Sequence, residues 1–141
     1  MSTPVKEIYS VFLSFIGDDD IMELEEELIE EVLYDYLLGA TYEFEECKKD
    51  LSIISKQGMF YINSDLTLEE KMILARGMII YWLNPKLLTQ EVIKNKITDD
   101  DYSTKSPANL LDKLIKLRTT SENDLRARKI RYTWRGNNLN E

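Results

Sequence analysis

Apolar residues recur every three or four positions over most of this chain, the spacing that places them on one face of a helix. Val5, Ile8, Tyr9, Phe12, Phe15 and Ile16 make the first such series and predict an amphipathic helix of about a dozen residues. Thr3 and Pro4 precede it as N-cap and first helical residue, where the missing proline N–H is harmless. Gly17 closes the series, and Asp18 to Asp20 begin the next with negative charge at the positive end of a helix dipole. The second helix is expected from about Ile21 to Lys49. Leu24, Leu28, Val32, Tyr36 and Leu37 lie on its apolar face, and Phe44 and Cys47 extend the stripe. Gly39-Ala40 marks either a kink or a close crossing with another helix.

Between Leu51 and Leu66 the periodicity stops, which predicts a loop with a short extended piece around Phe60, Tyr61 and Ile62. Thr67-Leu68-Glu69-Glu70 then reads as a capping box. Behind it, Leu68, Met72, Ala75, Ile79 and Trp82 define a third helix. Met78, Ile80 and Leu83 make it apolar on more than one side, as suits a central position, and Gly77 would let another helix pass close. Asn84-Pro85 is expected to end it, because the residue before proline disfavours helical geometry. Leu87, Leu88, Val92 and Ile93 allow a shorter fourth helix to about Lys96. After a polar loop from Thr98 to Ser103, Ser106-Pro107 repeats the cap-then-proline start. Leu110, Leu111, Leu114, Ile115 and Leu117 supply the buried face of a final helix. From Thr119 to Asp124 the apolar residues thin out, so the helix would run on into solvent or a neighbour as far as Tyr132. Sustained alternation of apolar and polar residues is absent. The expected fold is all-α: a bundle of four to five helices in residues 1–118, with 119–141 as a C-terminal extension and docking arm.

A length of 141 residues fits one domain. Its net charge of −8 is unevenly placed: residues 1–50 hold 15 acids against 3 bases, residues 51–100 six of each, and residues 101–141 five against nine. The chain is a charge dipole, and such asymmetry suits an interaction surface or copies meeting head to tail.

Candidate chemistry is thin. The chain has no His and one Cys, so the usual general base, a serine or cysteine triad, an internal disulfide and a cysteine-histidine zinc site are all missing. Phosphate-binding glycine loops and the nucleophile elbow are absent as well. The triplets Asp18 to Asp20 and Asp99 to Asp101 lack the spacing of a calcium loop and read as caps or solvated turns. Neither enzymatic activity nor a metal or cofactor is expected. The amino-terminal residues lack a signal-peptide pattern, and no apolar stretch is long enough to span a bilayer.

The segment from Leu125 to Arg135 mixes five bases with Tyr132 and Trp134. Bases supply charge and aromatics supply anchors, a composition suited to docking on protein or, against the acidic balance of the whole chain, on nucleic acid. Three stretches, Leu66 to Met78 with Tyr81-Trp82-Leu83-Asn84-Pro85, Ser106 to Leu111 with Leu114 to Arg118, and Arg128 to Trp134, together resemble the small helical head-completion proteins of tailed bacteriophages, the neck or head–tail connector adaptors.

The resemblance implies a homo-oligomer, a dodecameric ring bound beneath the portal protein that completes the DNA-filled head for tail attachment. It would be assembled in the host cytoplasm and sit at the virion neck, with a further neck or tail protein on its other side. DNA would pass through the ring without specific binding, and no membrane would be involved. On this analogy Arg126, Arg128, Lys129, Arg131, Tyr132 and Trp134 form the arm that meets the portal or a neighbouring subunit. Glu23, Glu26, Glu27, Glu30 and Glu31 form an acidic face toward the channel or the next copy. The competing reading is an acidic DNA mimic or inhibitor that fills the basic groove of a nucleic-acid-binding protein.

Overall fold

The computed structural model describes residues 1–16, 26–96 and 106–139, with side chains at 1–16, 29–88 and 111–135. In chain order the elements are β1 (Thr3–Pro4), α1 (Val5–Ile16), α2 (Glu26–Glu43), β2 (Ile53–Lys56), β3 (Met59–Ile62), α3 (Leu68–Lys96) and α4 (Ser106–Leu139). The chain is mostly helical, as its periodicity predicts, but it is not strictly all-α. The three strands form an antiparallel sheet in the order β1-β3-β2.

The expected extended piece around Phe60, Tyr61 and Ile62 is β3, and its pairing with β2 and β1 takes the place of the rest of the expected loop. Lys56 pairs with Met59 around a two-residue turn, with φ of 54° at Gln57 and 79° at Gly58. Two positive φ values match the type I′ turn, whose twist suits adjoining strands. Thr3 and Pro4 pair with Ile62 and Tyr61 rather than capping α1. The Thr3 hydroxyl donates to Ser64 O at 2.7 Å and accepts from Leu66 N at 2.9 Å, so it ties the amino end to the start of α3. Gln57 occupies a conformation that glycine and asparagine tolerate better, which leads to a prediction. Gln57→Asn should raise stability by about 0.5 to 1 kcal/mol in a denaturant melt, and Gln57→Val should lower it.

α3 is the centre. Its residues Ile73, Leu74, Met78, Ile79 and Leu83 are buried, with α1, α2 and α4 packed around it. Phe12 from α1 meets the Trp82 ring edge-on at 6.3 Å and lies 6.2 Å from Tyr36 of α2. The capping box forms as expected: Thr67 Oγ1 accepts from Glu70 N at 3.2 Å, and Glu70 Oε1 accepts from Thr67 N at 2.8 Å.

Two expectations need correction. Pro85 lies inside α3 and does not end it. Leu83 and Leu87 are buried on either side, and their packing holds the helix through a residue that disfavours it by about 3 kcal/mol. The buried face of α2 and its exit is Leu33, Leu37, Ala40 and Phe44, one position round from Val32 and Tyr36, which are only partly covered. Leu24, Leu28, Val92, Ile93 and Leu110 lie outside the described side chains. Small residues set the phase of α2: Gly39 faces the Tyr81 ring, and a Cβ added at Gly77 would lie 3.1 Å from Ala40 Cβ. α2 also stops at Glu43, short of Lys49. The close crossing makes Gly77→Val a disruptive change, of about 2 to 3 kcal/mol. Adding Ala40→Gly should return part of that loss, and a double-mutant cycle measures the coupling.

At the end of the chain α4 runs without a break through Arg118 and Thr119 and past Tyr132, the helix extension that the sequence predicts. Leu111 and Leu114 are buried but Ile115 is exposed. The stripe begun by the leucines continues through Ser121, which is fully buried, and Tyr132. Beyond Leu114, among the described residues, only Leu117 and Leu125 supply aliphatic contacts to the core and the other positions are polar or Tyr132, which is why a hydrophobic pattern shows this stretch poorly.

Candidate functional site

The carboxyl half of α4 lies antiparallel on the amino half of α3, and one buried acid organises the contact. Glu70 is 1 % exposed. Besides the cap bond from Thr67 N, its carboxylate accepts hydrogen bonds from Lys49 Nζ at 2.8 Å, Tyr132 Oη at 2.6 Å and Cys47 Sγ at 3.8 Å. Burial pushes the Glu70 carboxyl up, and the bonds from Lys49, Tyr132 and Thr67 more than offset this, so its pKa falls below the ordinary value. Burial, then the bond to Glu70, drives the Tyr132 phenol upward. Burial also raises the Cys47 thiol despite the hydrogen bond from Tyr132. A thiol held protonated is a poor nucleophile. The cluster is a lock joining α3, α4 and the segment that follows α2, and the Phe44 ring closes it at 5.2 Å from Tyr132.

A second polar network runs along the same seam. Arg128 Nε donates to Asp124 Oδ2 at 2.8 Å, and its Nη1 lies 3.7 Å from Glu69 Oε2. Arg76 Nε lies 2.7 Å from the same Asp124 oxygen without hydrogen-bond alignment, and its guanidinium sits 4.0 Å over the Phe15 ring. Lys129 Nζ donates to Glu43 O at 3.0 Å and lies 3.6 Å from Glu46.

The six residues of the expected arm therefore divide by helix face. Arg128, Lys129 and Tyr132 face inward and are held by their own chain. Arg126, Arg131 and Trp134 point outward with Ile130 between them, Trp134 at 66 % exposure and Ile130 at 53 %. Arg126, Ile130 and Trp134 follow one another at intervals of four and form one stripe along α4, and Arg131, three residues before Trp134, flanks it. Among the described residues Arg126, Arg131 and Trp134 make no ion pair or hydrogen bond.

Of the acidic face, Glu30 and Glu31 are exposed; the side chains of Glu23, Glu26 and Glu27 lie outside the described residues. Glu30 and Glu31, with Asp35, line a groove of about 770 Å3 between α1, α2 and the β2–β3 turn. Tyr9, Tyr34, Met59 and Phe60 provide its apolar surface, and Lys6 is the one cation among the described residues that line it. The Tyr34 and Phe60 rings stack obliquely at 5.0 Å. Helical periodicity does not show this groove, because half of its apolar side, Met59 and Phe60, comes from the hairpin.

No known protein family matches the chain, and no curated protein or solved structure is significantly similar to it. Among the described residues, no cluster of three or more Asp, Glu or Cys side chains could hold a metal ion, and no helix is long and apolar enough to cross a membrane. The two aspartate triplets lie outside the described residues.

Proposed function

We propose that this protein is a structural virion component, a head–tail connector adaptor that assembles as a ring under the portal and completes the filled head for tail attachment. The observation that carries the reading is the outward stripe of α4. A helix of 34 residues has one face locked onto its own domain and presents Arg126, Ile130, Arg131 and Trp134 on the other. Exposed aromatic and aliphatic anchors flanked by arginine are the side chains that dominate protein–protein contacts. The inward anchoring by Tyr132 and Arg128 suits this role, since a surface held rigidly by its own domain loses little freedom on docking. The uneven charge of the chain and its resemblance to the neck adaptors point the same way.

Negative-stain microscopy of the portal protein from the same genome, with and without this protein, tests the reading. The expected result is a ring of added density at the tail-side end of the portal, lost with Arg131→Glu. Portals that gain no density at saturating protein overturn it.

A further inference from the structure

The outward stripe of α4 and the groove beside α2 are complementary in two respects. The stripe offers Ile130 and Trp134 between Arg126 and Arg131. The groove offers aromatic walls, Tyr34 and Phe60, under the carboxylates of Glu30, Glu31 and Asp35. A guanidinium on such walls gains from the ring faces as well as from the acids. Amphipathic helices dock into grooves through anchors spaced in this manner.

Within one chain the two surfaces stand well apart. Tyr132 packs on Phe44, just beyond the carboxyl end of α2, whereas Glu30 and Glu31 lie near its amino end. The intervening 13 or so residues separate them by about 20 Å along the axis at 1.5 Å per residue. We infer that the groove receives the outward face of α4, residues 126–134, from a second copy of this chain, giving a head-to-tail contact. A contact between two different patches is heterologous, so it leaves one copy's stripe and the other copy's groove free, and assembly propagates into a ring or an open filament according to its rotation. The inference rests on the same stripe as the connector reading and would give its ring the subunit contact, but its test needs no portal and no other protein, so the failure of one is distinguishable from the failure of the other.

The test uses the full chain alone in sedimentation velocity over a concentration series at low salt. Two variants are compared, one broken in the stripe (Arg131→Glu with Trp134→Ala) and one broken in the groove (Glu31→Arg with Phe60→Ala). The wild-type chain is expected to associate increasingly with concentration and to weaken at high salt, because the flanking pairs are exposed. Each variant alone should associate at least tenfold more weakly. Mixed together, they should form a one-to-one dimer and nothing larger, since one intact stripe and one intact groove remain. A wild-type chain that stays monomeric throughout overturns the inference, whether its groove is closed by its own chain or reserved for another partner. So does a stripe or groove variant that assembles as the wild type does, or a mixture that stays monomeric. All four positions are exposed or line the open groove, so the helical circular-dichroism spectrum should be kept. Should a double variant lose it, the single changes Trp134→Ala and Glu31→Arg decide the question in the same assay.

Discussion

Deleting residues 125–141 is expected to lower the stability of the remaining chain by about 4 kcal/mol, rather than to release a detachable arm. The deletion takes away the Tyr132 ring from Phe44 and its hydroxyl from the buried Glu70 carboxylate, together with Arg128 and Lys129 from their pairs with Glu69, Asp124 and Glu46. Losing the half-buried ring accounts for about 2 kcal/mol, and leaving a buried carboxylate short of a donor for about 1 to 3 more. In a domain of this size the melting temperature should fall by more than about 10 °C in a circular-dichroism scan. A truncated chain that melts within about 2 °C of the intact one would show that 125–135 contribute nothing to the fold. The outward face supplies the control: Trp134→Ala, on the same helix, should change stability by no more than about 0.5 kcal/mol.

This division of α4 into a locked face and a free face marks where the sequence could be read and where it could not. Leu111 and Leu114 announce their burial through apolar spacing. Ser121, Asp124, Arg128 and Tyr132 continue the same stripe, but their burial depends on partners in α3, and no pattern within α4 reveals that Arg76, Glu69 and Glu70 wait at the matching levels. The capping box located Glu70 correctly and hid its second role, since the same carboxylate that caps α3 also receives Lys49 and Tyr132. The hairpin escaped notice for a related reason. Its strands are four residues long, and Gln-Gly lacks the Asn-Gly or Asp-Gly signature of a type I′ turn. Pro85 and the phase of α2 were settled by packing: Leu83 and Leu87 in one case, Gly77 against Ala40 in the other. The charge dipole was plain from residue counts, yet its counterpart, an aromatic groove under Glu30 and Glu31, required the tertiary fold to bring Phe60 beside Tyr34.

Glu70→Gln should destabilise the protein by about 2 to 3 kcal/mol at pH 7, and the loss should shrink as the solution is acidified. Glutamine keeps the size of the side chain, but it replaces a charged acceptor of the Lys49, Tyr132 and Thr67 bonds with a neutral amide. The folded protein holds the Glu70 carboxyl below its ordinary pKa of 4.5, so the unfolded chain takes up a proton at higher pH than the folded one does. The stability contributed by the carboxylate is therefore complete above pH 4.5 and is lost as the pH falls through the folded value. Urea melts of the wild type between pH 7 and pH 3 should show a decline that begins below pH 4.5, with a shallower decline in the variant. Some slope should persist, because Asp124, raised by burial and lowered further by Arg128 and Arg76, acts in the same direction. A Gln variant as destabilised at pH 3 as at pH 7 would mean that the shape of the side chain, and not its charge, holds α4 against α3.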